Sequence, residues 1–116
     1  VYLTLAEAAA NGGGSITAGQ KALDKITQTA DPSVTSTTST GIALFNEVKV
    51  ERRKELAFEG HRLYDILRWK ENVVRTDISS PSTIATITYP DTRMVWPLPQ
   101  TEVDSNDSIN ENNLGY

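Results

Sequence analysis

Three consecutive glycines, Gly12, Gly13 and Gly14, constrain this chain more than any other feature. Residues 2 to 10 place Tyr2, Leu5, Ala6 and Ala9 at helical spacing, and each glycine in a helix interior costs roughly 1 kcal/mol relative to alanine. A short Ala-rich helix must therefore end before the glycines and the chain must turn. Beyond them, Thr17 with Gln20 three residues on predicts a capping box that opens a second helix, carrying Ala18, Ala22, Leu23 and Ile26 on one stripe. The result is a helical hairpin, in which Ala18 and Ala22, four apart, let a neighbouring helix come close.

Tetratricopeptide-type pairs use this geometry. A single pair cannot bury its own face, and the pattern has no second copy at a period of about 34 residues, so repeat partners are expected upstream. Residues 27 to 40 are rich in Thr and Ser around Asp31-Pro32, which predicts a surface loop. From Ile42 a helical pattern runs to about Phe58, is interrupted at Gly60, and resumes from His61 to Trp69. Ser79 to Ser82 reads as a loop. Thr83 to Tyr89 alternates like a strand, with Arg93 to Trp96 as its returning partner before Pro97 and Pro99 end the pairing. The last sixteen residues read as coil. The expected fold class is mainly α: a tetratricopeptide-like hairpin at 1–28, a charged bent helix at 42–72, and a small β-hairpin with a coil-rich tail at 83–116.

With 116 residues the chain suffices for one domain or part of one. Its first residues are already helical in pattern, with no initiator Met and no capping residue ahead of them, so a fragment whose partner sequence lies upstream is expected. It has 0 Cys, which excludes disulfides and thiolate chemistry within it. No apolar run approaches the roughly 20 residues of a membrane-spanning helix. The net charge of -4 comes wholly from Glu102, Asp104, Asp107 and Glu111, which no Lys or Arg faces in the last sixteen residues. No basic stripe of a nucleic-acid binder is present.

The densest chemistry lies between Glu51 and Trp69. Glu51 with Lys54, Arg52 with Glu55, Glu59 with Arg62, Arg62 with Asp65, and Asp65 with Arg68 stand three or four apart, worth a few tenths of a kcal/mol each if exposed. Arg52, Glu55, Glu59 and Arg62 form a stripe beside Leu56, Phe58 and Leu63, which predicts partial burial as a hydrogen-bonded network.

The run E-R-R-K-E-L-A-F-E-G-H-R-L-Y-D-I-L-R-W at 51–69 resembles a signature near the C-terminus of the SusD/RagB family. The resemblance covers Glu51, Arg52, Arg53, Glu55, Phe58, Glu59, Gly60, Arg62, Asp65, Arg68 and Trp69. A second segment, Val95-Trp96-Pro97-Leu98-Pro99-Gln100-Thr101-Glu102, with Asn106 and the closing Asn112-Asn113-Leu114-Gly115-Tyr116, is similar to that family's W-P-I-P, N-P and Q-N-P-G-Y elements. Residues 2–8 and 22–26 resemble its last tetratricopeptide-like hairpin, whereas 27–41 carry none of the likeness. Departures are Glu111 for Gln, Asp107 for Pro, and Asn113-Leu114 for Pro before Gly115. The resemblance implies a surface-exposed, lipid-anchored outer-membrane protein that binds an oligosaccharide or peptide nutrient for a TonB-dependent, SusC-like transporter. It implies no cofactor and no catalysis. It also makes the charged run a scaffold, with ligand contacts elsewhere.

Site by site, the alternatives are modest. His61 and Asp65 are four apart and supply only two of a metal's ligands. Glu55 and Glu59 mimic an acid–base pair, but flanking Arg52 and Arg62 would hold both ionised. Asp104, Asn106, Ser108 and Asn110 alternate like a calcium loop, yet Ile109 stands where glycine belongs and Gly115 where the bidentate Glu belongs. Trp69 and Trp96 are expected in a core rather than stacked on a sugar. Two other function classes stay open: a freestanding helical-hairpin module that binds a protein, and a small hydrolase using Glu55, Glu59 or Asp65.

Overall fold

The structure, a computed structural model, describes residues 1–76, 84–109 and 111–114. It is mainly helical, with a small antiparallel sheet: α1 (Tyr2–Ala10), α2 (Ile16–Ala30), α3 (Gly41–Glu55), α4 (Arg62–Trp69), β1 (Val73–Val74), β2 (Thr86–Ile87) and α5 (Gln100–Ser105). The chain divides into two compact units, Val1–His61 and Arg62–Tyr116.

In the first unit the glycines close α1 as predicted. Gly12 N–H donates to Ala9 O (3.1 Å) and Gly13 N–H to Ala8 O (2.7 Å), a pairing that satisfies the last carbonyls and needs a left-handed residue, which Gly12 supplies at φ +84°. Helix α2 opens two residues earlier than the capping box suggests, because Ser15 is the cap and its side chain accepts from Ala18 N–H (3.3 Å). It also runs past Thr27. The threonines expected to favour a loop instead turn their hydroxyls back into the helix, Thr27 onto Leu23 O (3.3 Å) and Thr29 onto Lys25 O (2.5 Å).

The hairpin meets backbone to backbone at Gly19, while of the two expected alanines Ala22 lies in the core and Ala18 is half-buried. A Cβ built on Gly19 would lie 2.5 Å from the Ala9 Cβ and 3.5 Å from the Ala6 backbone, so only a residue without a side chain lets α1 and α2 meet there. Leu3, Ala6, Ala22 and Leu23 form the hairpin's share of the core, and Leu44 and Val48 of α3 complete it. Buried Leu44, Val48 and Glu51 are spaced four and three apart, which is the inward stripe of α3. Arg52, Arg53 and Lys54 in its last turn oppose the negative end of the helix dipole. The helix stops at Glu55, and the link to α4 places Phe58 at φ 66° and Gly60 at φ 76°, left-handed conformations that no helix continues through. The interruption expected at Gly60 is therefore a full break six residues long, Leu56 to His61.

In the second unit β1 and β2 pair antiparallel, Val73 with Ile87 and Val74 with Thr86. Arg75 N–H to Ala85 O (2.8 Å) and Tyr89 N–H to the Asn72 side chain (2.8 Å) flank the ladder. The expected partner of this strand, Arg93 to Trp96, is not a strand. Asp91 accepts from Arg93 N–H (2.9 Å) and caps a single 3-10 turn at Thr92–Met94, which consumes the residues that would have returned. The tail expected as coil contains α5, which follows Pro99 and is braced by Gln100 Nε2 to Asp104 Oδ1 (2.7 Å). The Ser79 to Ser82 loop, Thr83, Asn110, Gly115 and Tyr116 lie outside the described residues.

Gly19→Ala should lower stability by about 1–3 kcal/mol, the range for overpacking a close contact. Thermal unfolding of the full protein, with Ala18→Gly as a comparison at a half-buried neighbour, checks it.

Candidate functional site

Two sequence segments carry the resemblance, and the structure builds each around local polar contacts. In the charged segment the buried carboxylates are Glu51, 6% exposed, and Asp65, 5% exposed. Each holds a cation one helical turn later: Lys54 Nζ stands 2.9 Å from Glu51 Oε2, and Arg68 Nε donates to Asp65 Oδ1 at 2.8 Å. Asp65 also lies in the first turn of α4 and Arg68 in its last, the arrangement the helix dipole favours. The Arg68 guanidinium covers the Trp69 ring at 4.6 Å from its centroid, leaving Trp69 half-buried.

The expected network of Arg52, Glu55, Glu59 and Arg62 is not what is buried. Arg52 is half-buried, whereas Arg53, Glu55, Glu59 and Arg62 are exposed. The break after Glu55 is the physical reason, because spacing by three and four brings side chains to one face only while a single helix continues. Glu59 instead faces His61 Nε2 at 3.8 Å, and Arg62 reaches Glu71 at 4.0 Å. His61 precedes α4 on the exposed link while Asp65 is committed to Arg68, so the two do not form a ligand pair. Phe58 projects fully into solvent, and Trp96 is 74% exposed. The core position expected for Trp96 belongs to Met94, two residues earlier on the 3-10 turn.

The second segment shows how an extended stretch without strand partners is held. Pro97 and Pro99 have no N–H, so Leu98 carries the only donor between them. Asn112 takes both of its main-chain groups: its Oδ1 accepts from Leu98 N–H (2.8 Å) and its Nδ2 donates to Leu98 O (3.1 Å). Asn113 Nδ2 adds a hydrogen bond to Trp96 O. The two parts of the tail that the sequence treats as separate motifs are thus one hydrogen-bonded unit. Composition alone does not signal this, although a side chain with one donor and one acceptor face, set opposite a proline-flanked residue, is the pattern to seek. Nearby, the Arg93 guanidinium and amide hold the half-buried Asp91 carboxyl down at about 2. The alternating oxygens at 104–108 serve local structure, with Asp104 bonded to Gln100 and Asn106 to Glu102 and Ser108 N–H.

Among the described residues no group of three or more His, Cys, Asp or Glu is arranged to hold a metal ion. The family model described as the SusD family matches residues 1–116. Among solved structures, a putative sugar binding protein from Bacteroides vulgatus is 32% identical, with a TM-score of 0.79 over 99% of this chain and 27% of that one. A SusD superfamily protein from the same organism is 31% identical, with a TM-score of 0.81 over 99% of this chain and 26% of that one. The chain thus spans about a quarter of the solved structures it matches. No curated protein matches it.

Asp65→Ala and Glu51→Ala should each lose about 1–3 kcal/mol, as for a buried hydrogen bond to a charged group. Glu59→Ala, on the exposed link, should stay within about 0.5 kcal/mol of the parent; urea denaturation of the full protein separates the two classes. Asn112→Ala should speed hydrogen exchange at Leu98 by tenfold or more, since an orphaned amide loses about 1–3 kcal/mol of protection.

Proposed function

Because the chain belongs to the SusD family, we propose that the whole protein captures a nutrient at the cell surface, an oligosaccharide in the first instance, and passes it to a TonB-dependent transporter of the SusC type. The match along all of residues 1–116 carries this reading, and the likeness to a structure described as a sugar binding protein supports the choice of ligand. Residues 1–116 then act as the C-terminal part of a larger domain. The fully exposed Phe58 and the largely exposed Trp96 and Ile42 fit that role, because isolated side chains of this size bring about 1.5–3 kcal/mol each when covered by further protein.

The role is binding rather than bond cleavage. Glu55 and Glu59, the carboxylates closest to an acid–base pair in sequence, stand exposed, one at the end of α3 and the other on the broken link, and do not share a helix face. Anchoring to the outer membrane belongs to the same reading, through a lipid attached elsewhere in the protein. No helix among the described residues is long and apolar enough to cross a membrane.

Affinity electrophoresis of the full-length protein through gels containing neutral and charged polysaccharides tests the reading, with co-purification of the transporter as its second arm. Retardation by at least one glycan is expected, with no glycoside hydrolysis. Migration unchanged in every glycan and no binding of peptides would overturn it, as would a hydrolytic activity lost on Glu59→Gln.

A further inference from the structure

Asn11-Gly12 is the one Asn-Gly step in the chain, and it stands at the turn that closes α1. In such a step the glycine main-chain nitrogen, uncrowded by a side chain, can attack the asparagine side-chain carbonyl carbon and close a five-membered imide. The bond from Gly12 N to Asn11 Cγ forms, the bond from Cγ to Nδ2 breaks, and ammonia leaves with the Gly12 amide proton. Water then opens one of the two imide C–N bonds. Cleavage at Cγ gives aspartate, and cleavage at the main-chain carbonyl carbon gives isoaspartate, so one water is consumed for each ammonia released.

The folded turn withholds the reacting groups from each other. Asn11 caps α1 at φ -93° and ψ 15°. At that ψ the Gly12 nitrogen lies on the side of Asn11's own main-chain nitrogen, whereas ring closure needs it rotated onto the side of Cβ. Rotation would break several hydrogen bonds at once. Gly12 N–H, on the attacking atom, donates to Ala9 O (3.1 Å), and Gly13 N–H donates to Ala8 O (2.7 Å). The leaving amide is tethered too, with Asn11 Nδ2 donating to Glu7 O (2.9 Å). Access is no barrier, because Asn11, Gly12, Gly13 and Gly14 are all exposed. The brake is the closed geometry alone.

We infer that Asn11 is a deamidation site gated by the end of α1: inert while the turn is closed, reactive when it frays, and blocked from closing again once isoaspartate has formed. The rate then follows the population of the open turn. The block follows from the product. Isoaspartate routes the main chain through Cβ, which adds a methylene ahead of Gly12 and moves the Gly12 and Gly13 amides off their carbonyls. Its free carboxylate has no proton to give Glu7 O and faces the negative pole of α1. The damage reaches the hairpin contact, since Ala9, two residues earlier, is what Gly19 packs against. This chemistry belongs to the turn and is independent of what the whole protein binds.

Peptide mapping by mass spectrometry of the full-length protein, aged in mildly alkaline buffer, tests the inference. Conversion at Asn11 should run about tenfold or more slower in the native protein than in the same protein unfolded in urea. Gly19→Ala, which sets a methyl group against Ala9, should raise the native rate about threefold or more; sub-denaturing urea makes the same test if that variant does not fold. Asn11→Gln, whose ring would need one more atom, should silence the site. Protein carrying isoaspartate at position 11, separated from the parent by ion exchange, should exchange its amide hydrogens across 9–13 about tenfold faster. Equal rates in native and unfolded protein, a native rate that neither Gly19→Ala nor sub-denaturing urea raises, undiminished conversion in Asn11→Gln, or parent-like exchange in the isoaspartate form would each overturn it.

Discussion

The close approach of α1 and α2 at Gly19 is the constraint on which the first unit rests. With no side chain there, the Ala6 and Ala9 side of α1 meets α2 at backbone distance, and the hairpin becomes a surface on which α3 can seat Leu44 and Val48. The seating of α3 in turn decides the rest of the unit. It turns Glu51 inward beside Lys54, brings Glu47 within reach of the 31–40 segment, and ends the helix where Arg52, Arg53 and Lys54 meet its negative pole.

The second unit is organised differently. Its sheet has only two residues per strand and its other helices are short, so side-chain amides replace the missing ladder. Asn72 extends the sheet by one bond, and Asn112 serves both main-chain groups of Leu98 between two prolines. Each such amide fixes backbone that no regular element would hold, because a buried or half-buried peptide group left without a partner is destabilising by a few kcal/mol.

The family signature consequently has two kinds of residue in it. Asp65, Arg68 and Trp69 form a compact local stack, and Glu51 is an inward anchor of α3. Phe58, Glu59 and Arg62 look outward from the broken link and its far side. Spacing by three and four carried across the interruption at Gly60 put Glu55 and Glu59 inside, whereas the buried carboxylates are Glu51 and Asp65. Gly60 marks an interruption, but whether a glycine bends a helix or ends it depends on the neighbouring backbone, here the left-handed turn at Phe58. Likewise the Thr-rich start of the 27–40 stretch stays helical because its hydroxyls find carbonyls four residues back, a choice composition does not reveal.

Much was legible in the amino-acid order alone. The glycine stop after Ala10, the second helix, the charged helix ending before Gly60, the mainly α class and the SusD likeness all follow from periodicity, punctuation and motif, which act over a few neighbouring residues. What required the folded chain were the long-range choices. Gly19 at the backbone contact of the hairpin, Val73–Val74 rather than Arg93–Trp96 beside β2, Glu51 and Asp65 rather than Glu55 and Glu59 inside, and Asn112 against Leu98 all depend on which distant group arrives at bonding distance. Local sequence sets what each residue is able to offer, and only packing decides which offer is taken up.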